Sequence, residues 1–399
     1  MIDFRETAPE NARNDRFIQN PRSATFGRNS VGVPGFVKGL EHAFKKYGSG
    51  HLGANCCTWF DLVRKAIDVA LRGIKISDHF INATHTKISQ EEVQSNDAIL
   101  LRELISTKAA YFNDVPIFKR LVETIRDIAS NGSATMYEGG RIGQSLVQDL
   151  NGALTLQDLA NYQVLESKPL KTAIGRFEVM ASPSPSSGPE LLGLLNALEY
   201  MNSSNHIKYG EVSSDYLHIL SNVLENLEDL QLRLGDSPDQ EVENLVKVML
   251  DKNNAAKWTS DIQGESVFEA NYALSDPVAA NVAIMDKKDN YVSVVTSLNS
   301  WFGSKIMTKS GILLNNAMAN FAIPNESVTT ANVMATGKRP LTKNVVALTM
   351  DTKNICGTRI AAGGSTASSV AQVRRSGLNL KARCRPFSPL CRCYRCSFC

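Results

Sequence analysis

The 399-residue sequence contains no long apolar segment. A membrane-spanning helix needs about 20 consecutive apolar residues, and no run in the chain approaches that length. The first residues, from Met1 to Arg5, carry a charge at the third position and have no apolar core, so they do not match a signal peptide. We therefore expect neither a membrane segment nor a signal peptide or anchor in this sequence.

Cysteine is scarce in most of the chain, and acidic residues are absent from its end. Five of the eight cysteines lie in the last sixteen residues, and residues 374–399 hold seven Lys and Arg with no Asp or Glu. Subtracting those seven charges from the net +3 leaves −4 for the first 373 residues. A mildly acidic body argues against nucleic-acid binding. Its three cysteines do not form a disulfide framework.

The final 26 residues form a tail rich in Cys and Arg. The spacing of Cys391, Cys393, Cys396 and Cys399 invites comparison with a metal cluster. It is too tight and irregular for a zinc ribbon or finger, and no histidine accompanies it. We expect no metal site. The interpretation that we favour is an aberrant terminus, produced by a frameshift or by mis-splicing, or a fragmentary gene model.

Apolar residues recur at helical spacing through the first half of the chain. One strand, Thr172–Val179, interrupts this pattern before a Ser/Pro/Gly loop at Pro183–Gly188. Asn131 and Gly132 provide a helix C-cap. Helices are predicted over residues 36–44, 59–71, 97–101, 118–129, 156–162, 191–200 and 214–250.

The hydrophobic period changes to two after residue 277. Asn281–Met285 and Tyr291–Thr296 are predicted strands that the polar turn Asp286–Asn290 joins. Further strands are predicted at Ile312–Leu314, Val345–Met350 and Arg359–Ala362. Helices followed by strands predict an α+β fold, with helices packed on an antiparallel or mixed sheet, and argue against a doubly wound parallel sheet.

Nine short motifs occur in a fixed order along residues 3–373. They are Arg5-Glu6-Thr7-Ala8-Pro9, Val31–Gly39, Asn151–Leu159 with Tyr162, Pro183–Gly188, Leu234–Asp236, Thr296–Asn299 with Phe302–Ser304, Gly311–Asn316, Gly337–Leu341 and Ala361–Gly364. In their content and order these motifs resemble those of the gamma-glutamyltransferase (glutathione hydrolase) family. The resemblance implies an αββα sandwich of the N-terminal-nucleophile hydrolase type, which we expect to be incomplete at both termini.

The resemblance also divides the chain. Residues 1–278 correspond to the helix-rich large subunit, and residues 279–373 correspond to the strand-rich small subunit, which shares the same fold. Residues 374–399 are the tail. The family's pattern would begin before Arg5 and continue past Gly364, so we expect missing parts at both ends.

The family transfers a gamma-glutamyl group, as from glutathione, to water or to an amine without a cofactor. Its nucleophile is a threonine that self-cleavage frees, and the new α-amine acts as the base. The position that matches this threonine is Ala279, which has no hydroxyl, so we predict an uncut and inactive chain. Ser275 could replace it only if a strand slid by an even number of residues past Pro277, which we do not favour.

The resemblance implies roles for other positions. Ser297 matches the threonine that orients the nucleophile, and Asn299 is unchanged from the family. Arg5 matches the arginine that grips the substrate α-carboxylate, although a surface arginine near the chain start is equally expected. Ala317 and Asn320 replace the two acids that grip the α-ammonium.

Two further pairs belong to this set. Thr342 and Lys343 replace a pair of serines, and Lys343 adds a positive charge where the family binds an ammonium. Gly363 and Gly364 match the glycines whose N–H groups form the oxyanion hole. They also suit a tight turn from strand to helix, and both readings can hold.

Three interpretations follow. The chain is an inactive family member kept for another role such as binding, an active glutathione hydrolase, or a truncated gene product that does not fold. The expected ligand is glutathione or another gamma-glutamyl compound, bound weakly if at all. The family implies an extracellular or secretory location, and four glycosylation sequons, at Asn82, Asn131, Asn202 and Asn325, give weak support.

Overall fold

The computed structural model describes residues 1–13, 15–48, 57–203, 214–236, 238–260, 278–286, 288–322, 331–354 and 357–371. Its helices are α1 Phe36–Tyr47, α2 Trp59–Arg72, α3 Asp78–Thr86, α4 Gln90–Gln94, α5 Ile99–Ile105, α6 Pro116–Asn131, α7 Ala134–Tyr137, α8 Arg141–Leu150, α9 Leu156–Asn161, α10 Gly188–Ser203, α11 Ser214–Leu232, α12 Gln240–Leu250 and α13 Lys252–Ser260. Its strands are β1 Ile2–Asp3, β2 Leu165–Glu166, β3 Leu170–Ile174, β4 Phe177–Ala181, β5 Val278–Met285, β6 Tyr291–Asn299, β7 Val345–Asp351 and β8 Arg359–Gly364.

Local sequence signals explain where several helices begin and end. A capping box of Thr58 with Asp61 starts α2, and Thr155 with Asp158 starts α9 in the same way. Helix α6 ends where the sequence predicted, because Gly132 follows it with a positive φ of 65°. The helices predicted from apolar periodicity at 36–44, 59–71, 118–129 and 191–200 are confirmed and extend slightly further.

The central sheet is antiparallel and has the strand order β3-β4-β7-β8. Strand β4 pairs with β7, so Phe177 lies opposite Asp351 and Ala181 lies opposite Ala347. The helix-rich first half therefore contributes two strands to the sheet of the second half. Helix α10 covers one face of this sheet, and its buried leucines join Val179 and Ala181 in the largest core cluster.

The β5–β6 hairpin covers the opposite face of the sheet. The Ser293 hydroxyl donates to the Ala362 carbonyl over 2.9 Å. A Cβ added to Gly363 would lie 2.6 Å from a Val295 methyl and 2.5 Å from the Asn281 side-chain oxygen, so β8 and the hairpin pack closely. Helices, sheet and hairpin thus form successive layers, which confirms the α+β prediction.

Three predicted elements were wrong in their extent. The strand predicted at Thr172–Val179 is a hairpin, because Gly175 turns the chain with a φ of 55° between β3 and β4. The helix predicted over 214–250 is two helices. Gly235 lies between them and packs so closely on the Ala331 backbone that a Cβ there would stand 2.1 Å from the carbonyl oxygen.

The strand predicted at Ile312–Leu314 is also wrong. Only one bridge, between Met307 and Leu313, is present in this segment. A tight loop closes instead, in which Thr308 N donates to the Ile312 carbonyl and Gly311 takes a φ of 80°. Ser304 N donates to the Leu314 carbonyl and Leu314 N donates to the Ile306 carbonyl, but no strand forms, and the apolar residues of the segment pack into helical clusters.

Core packing by α10 supplies a stability prediction. Leu192 is fully buried against the central sheet, so we expect Leu192→Ala to lower the free energy of unfolding by about 2–5 kcal/mol. The matched control is Leu71→Ala in α2, where the side chain is 53% exposed and the expected loss is below ~1 kcal/mol. Urea denaturation of both variants measures the difference. Equal losses would contradict this assignment of the core.

Candidate active site

Ala279 lies at an irregularity in the β5–β6 hairpin. Val278 pairs with Asn299 and Ala280 pairs with Thr296, so two residues of β6 stand opposite Ala279 alone. Such a β-bulge re-aims a side chain relative to the regular ladder. At this place the chain carries only a methyl group, so no nucleophilic atom is presented.

The side chain of Ser297 contacts the peptide bond that precedes Ala279. Its hydroxyl donates to the Val278 carbonyl oxygen and accepts from the Asn299 N–H over 2.8 Å. Val278–Ala279 is the bond at which the sequence resemblance predicts self-cleavage in a family member that has the nucleophile. A hydroxyl therefore stands next to this bond, but it belongs to the neighbouring strand and is engaged in two hydrogen bonds.

Asn299 and the asparagine pair Asn315–Asn316 hold the end of β6 in place. Asn299 has a φ of 79° and donates its amide to the Asn316 carbonyl over 3.2 Å. The Asn316 side chain accepts from Ser300 N–H and donates to the Thr25 carbonyl. Sequence reasoning used the asparagine pair only as a landmark, because its long-range partners are not visible in a linear sequence.

Asn315 links the same region to the N-terminal segment. Its side-chain oxygen accepts from the Gly32 and Ala317 N–H groups, and its amide donates to the Gly32 carbonyl over 3.0 Å. Ala317 is 1% exposed and begins a 3-10 turn that ends at Asn320. This turn therefore holds both positions, Ala317 and Asn320, that the sequence resemblance matched to the acids of the family.

Arg5 and Asn320 meet at one backbone carbonyl. Asn320 donates its amide to the Leu341 oxygen over 2.9 Å, and Arg5 Nη2 donates to the same oxygen over 2.8 Å. Arg5 Nε also donates to the Pro340 oxygen over 2.7 Å. The Arg5 side chain is 10% exposed, so the interpretation of a surface arginine is wrong.

The charge of Arg5 is partly balanced from within the protein. Its Nη1 lies 3.5 Å from a carboxylate oxygen of Glu6. Burial lowers the pKa of Arg5 and raises the pKa of Glu6, while their mutual attraction opposes both shifts. The neighbouring Asn320 side-chain oxygen is buried and has no hydrogen-bond partner among the described residues.

Arg5, Glu6, Ser297 and Thr342 line one groove of about 1440 Å³. The groove runs between β6, the start of the chain and the loop Pro183–Gly188. Thr342 N donates to the Pro185 carbonyl over 2.9 Å, which fixes the segment against that loop. The structure therefore brings Arg5, Ser297 and Thr342 to one cavity, with Asn320 behind Arg5.

Lys343 is directed towards the helices, and acids there balance its charge. Its ammonium forms an ion pair with Glu228 of α11, and Glu190 of α10 lies close enough to interact. Burial raises the pKa of Glu190 to about 7, with Glu228 adding to the shift while Lys343 and the Ser187 hydroxyl oppose it. Sequence reasoning missed this cluster, because its members are far apart in the chain.

Gly363 and Gly364 close β8 directly before a helical segment at residues 367–371. Close packing of Gly363 on Asn281 and Val295 excludes a side chain there, which supports the structural reading of this glycine. A Cβ on Gly364 would lie 2.8 Å from the Ser369 hydroxyl. An oxyanion-hole role for the pair stays a prediction.

Several predicted features fall outside the described residues. Ser275, Asn325 and the tail cysteines belong to segments that the structure does not describe. Within the described residues, no three His, Cys, Asp or Glu side chains are grouped to hold a metal ion. No helix in this part of the chain is long and apolar enough to cross a membrane.

Comparison with known proteins gives a consistent result. The family model described as Gamma-glutamyltranspeptidase matches residues 1–383. Glutathione hydrolase 2 of Arabidopsis thaliana is 32% identical over 91% of this chain and 64% of its own length. Glutathione hydrolase 7 of Homo sapiens is 31% identical over 92% of this chain and 55% of its own length, so the chain spans less than two thirds of either relative.

Among solved structures, cephalosporin acylase from Bacillus halodurans shares the fold. It superposes with a TM-score of 0.68 at 17% identity, over 89% of this chain and 65% of that chain. This likeness concerns the fold alone, and it agrees with the α+β class that the sequence predicted.

Glu190 makes stability depend on pH. Its folded-state pKa of about 7 lies above the ordinary 4.5, so the native state holds an extra proton between these values. The free energy of unfolding should therefore fall as pH rises from about 4.5 to about 7. Between these pH values we expect the free energy of unfolding of Glu190→Gln to decline by about 2 kcal/mol less than that of the wild type. This figure is smaller than the full pKa shift of Glu190 implies, because the side chain keeps some solvent contact. Urea denaturation at pH 5 and pH 8 measures it, and an unchanged slope in the variant would contradict the assignment.

Proposed function

The chain belongs to the gamma-glutamyltranspeptidase family, and from this premise we propose that it is a non-catalytic member that keeps a binding groove. The family reaction transfers a gamma-glutamyl group from glutathione to water or to amino acids and peptides. The observation that carries the proposal is the methyl group of Ala279 at the bulge where the nucleophile would stand.

Among the described residues, the hydroxyl that contacts the Val278–Ala279 peptide does not replace the missing one. Ser297 uses its hydroxyl to bind the Val278 carbonyl and the Asn299 N–H. Without a cut before Ala279, the residue has no free α-amine to act as the base. Both the nucleophile and the base of the family's mechanism are thus lost through one side chain.

Ligand recognition is weakened but is not wholly lost. Arg5 keeps a guanidinium at the groove, where it suits a carboxylate. The α-ammonium of a gamma-glutamyl group finds no carboxylate at Ala317 or Asn320, so its desolvation stays uncompensated. Charge-assisted hydrogen bonds contribute about 1.5–3 kcal/mol each, so we expect affinity at least ~100-fold below that of a complete site.

We also place the protein in the secretory pathway, as the family implies. Three sequon asparagines are on the surface, because Asn82 in α3, Asn131 at the end of α6 and Asn202 near the end of α10 are all exposed. A size shift on treatment with a peptide N-glycosidase, after expression of the natural gene in its own secretory cells, supports this location. A protein that stays unmodified inside the cell contradicts it.

The first test is the integrity of the chain. We expect expressed protein to run as one species with the mass of the intact polypeptide, because Ala279 cannot attack the Val278 carbonyl. Intact-mass spectrometry after prolonged incubation measures this. Fragments that separate between Val278 and Ala279 would show that self-cleavage persists and would remove the basis of the proposal.

The second test is turnover of a chromogenic gamma-glutamyl anilide. We expect no hydrolysis by the wild-type chain, and we expect Ala279→Thr to stay at least ~100-fold less efficient than a complete site, because the carboxylates at 317 and 320 are still missing. Wild-type turnover would establish an active glutathione hydrolase instead. A thermal melt of the same sample distinguishes an inactive folded protein, which unfolds cooperatively, from a truncated product that does not fold.

A further inference from the structure

A second cavity of about 970 Å³ lies apart from the groove and shares no lining residue with it. The segment between residues 16 and 29 forms one wall, and the turn at residues 150–153 together with α4 and the residues after it forms the rest. Its volume falls within the range of small-molecule sites, about 300–1,000 Å³. Nothing in the family chemistry described above uses it.

The residues that line this cavity include three arginines and only two carboxylates. Arg22 is paired with Glu91 over 2.6 Å, and Arg28 is paired with Asp97 over 2.9 Å. The third arginine of the lining, Arg16, has no carboxylate partner among the described residues. The lining therefore carries a net charge of about +1, located at Arg16.

Arg16 is held in place by neutral groups. Its Nη1 donates to the Asn11 side-chain oxygen over 3.1 Å, and its Nη2 donates to the Asn29 side-chain oxygen over 2.7 Å. Partial burial lowers the pKa of Arg16, and no neighbouring carboxylate opposes that shift. The guanidinium is thus oriented and partly desolvated without a counter-charge, while its remaining N–H donors are available for a ligand.

We propose that this cavity binds a small ligand through a single carboxylate, which Arg16 grips. A guanidinium presents parallel donors that match a carboxylate. The charge balance favours a monoanion over phosphate, whose charge of about −1.5 to −2 at pH 7 exceeds the one free positive charge and would stand near Glu91 and Asp97. This site does not depend on the proposed function of the groove.

The test uses calorimetric titration of the full chain at low salt with N-acetylglycine, and with N-acetylglycinamide as its neutral counterpart. We expect the acid to bind and the amide not to bind. Arg16→Gln should weaken binding of the acid at least tenfold. The matched control is Arg13→Gln, whose side chain is 78% exposed and paired with Asp15, and we expect a change below twofold.

A second variant, expected to tighten binding, shows whether a loss of binding in Arg16→Gln reflects the missing guanidinium or a misfolded protein. Glu91→Gln frees Arg22 from its ion pair, so it should tighten binding of N-acetylglycine severalfold. Binding that Arg16→Gln leaves unchanged would assign the acid to the groove at Arg5 and overturn the proposal. Phosphate binding tighter than the acid, no gain in Glu91→Gln, or no binding at tens of millimolar would each overturn it as well.

Discussion

The pairing of β4 with β7 is the constraint on which the rest of the structure depends. It joins residues 177–181 to residues 347–351, which are far apart in the sequence. The same contact continues past the strand ends, where Ser182 N donates to the Val346 carbonyl and Thr342 N donates to the Pro185 carbonyl. One run of backbone hydrogen bonds therefore builds the central sheet and also sets the wall of the groove.

Helix packing follows from that pairing. Gly188 opens α10 where a Cβ would lie 1.6 Å from the Ser182 carbonyl oxygen, so the helix begins against the end of β4. Its leucines then lie on the face of β4 and β7, and the helices α11 to α13 gather around it. The sheet's other face is left for the β5–β6 hairpin, which carries Ala279.

Sequence reasoning could predict what local signals encode. Apolar periodicity predicted α2, α6 and α9, the Asn131–Gly132 cap predicted the end of α6, and alternation predicted the β5–β6 hairpin with its turn. It failed where alternation continues through a turn, as at Gly175, because both strands of that hairpin share one hydrophobic pattern. It failed again at Ile312–Leu314, where a tight loop with a single bridge forms in place of a strand and the apolar residues pack against helices.

In the candidate site, too, local motifs predicted the residues, whereas the contacts between them depend on the tertiary fold. Motifs identified Arg5, Ser297 and Thr342, which do share a groove. The partners of Arg5 could not be predicted, because the Pro340 and Leu341 carbonyls meet it only through the tertiary fold. The partner of Lys343 could not be predicted either. The sequence shows that this residue is charged, but its ion pair with Glu228 depends on how α11 packs.

Residues of the site that still resemble the family also hold the fold together. Asn315 and Asn316 tie the 3-10 turn to Gly32 and Thr25, and Gly363 lets the hairpin approach β8. The changed positions Ala279 and Ala317 hold no side-chain hydrogen bond, since alanine can form none. A nucleophile and a buried acid serve chemistry and commonly cost stability, whereas the retained amides and glycines stabilise the scaffold. The loss of catalysis that we propose therefore places no demand on the β4–β7 framework, which is consistent with a fold that persists with alanine at position 279.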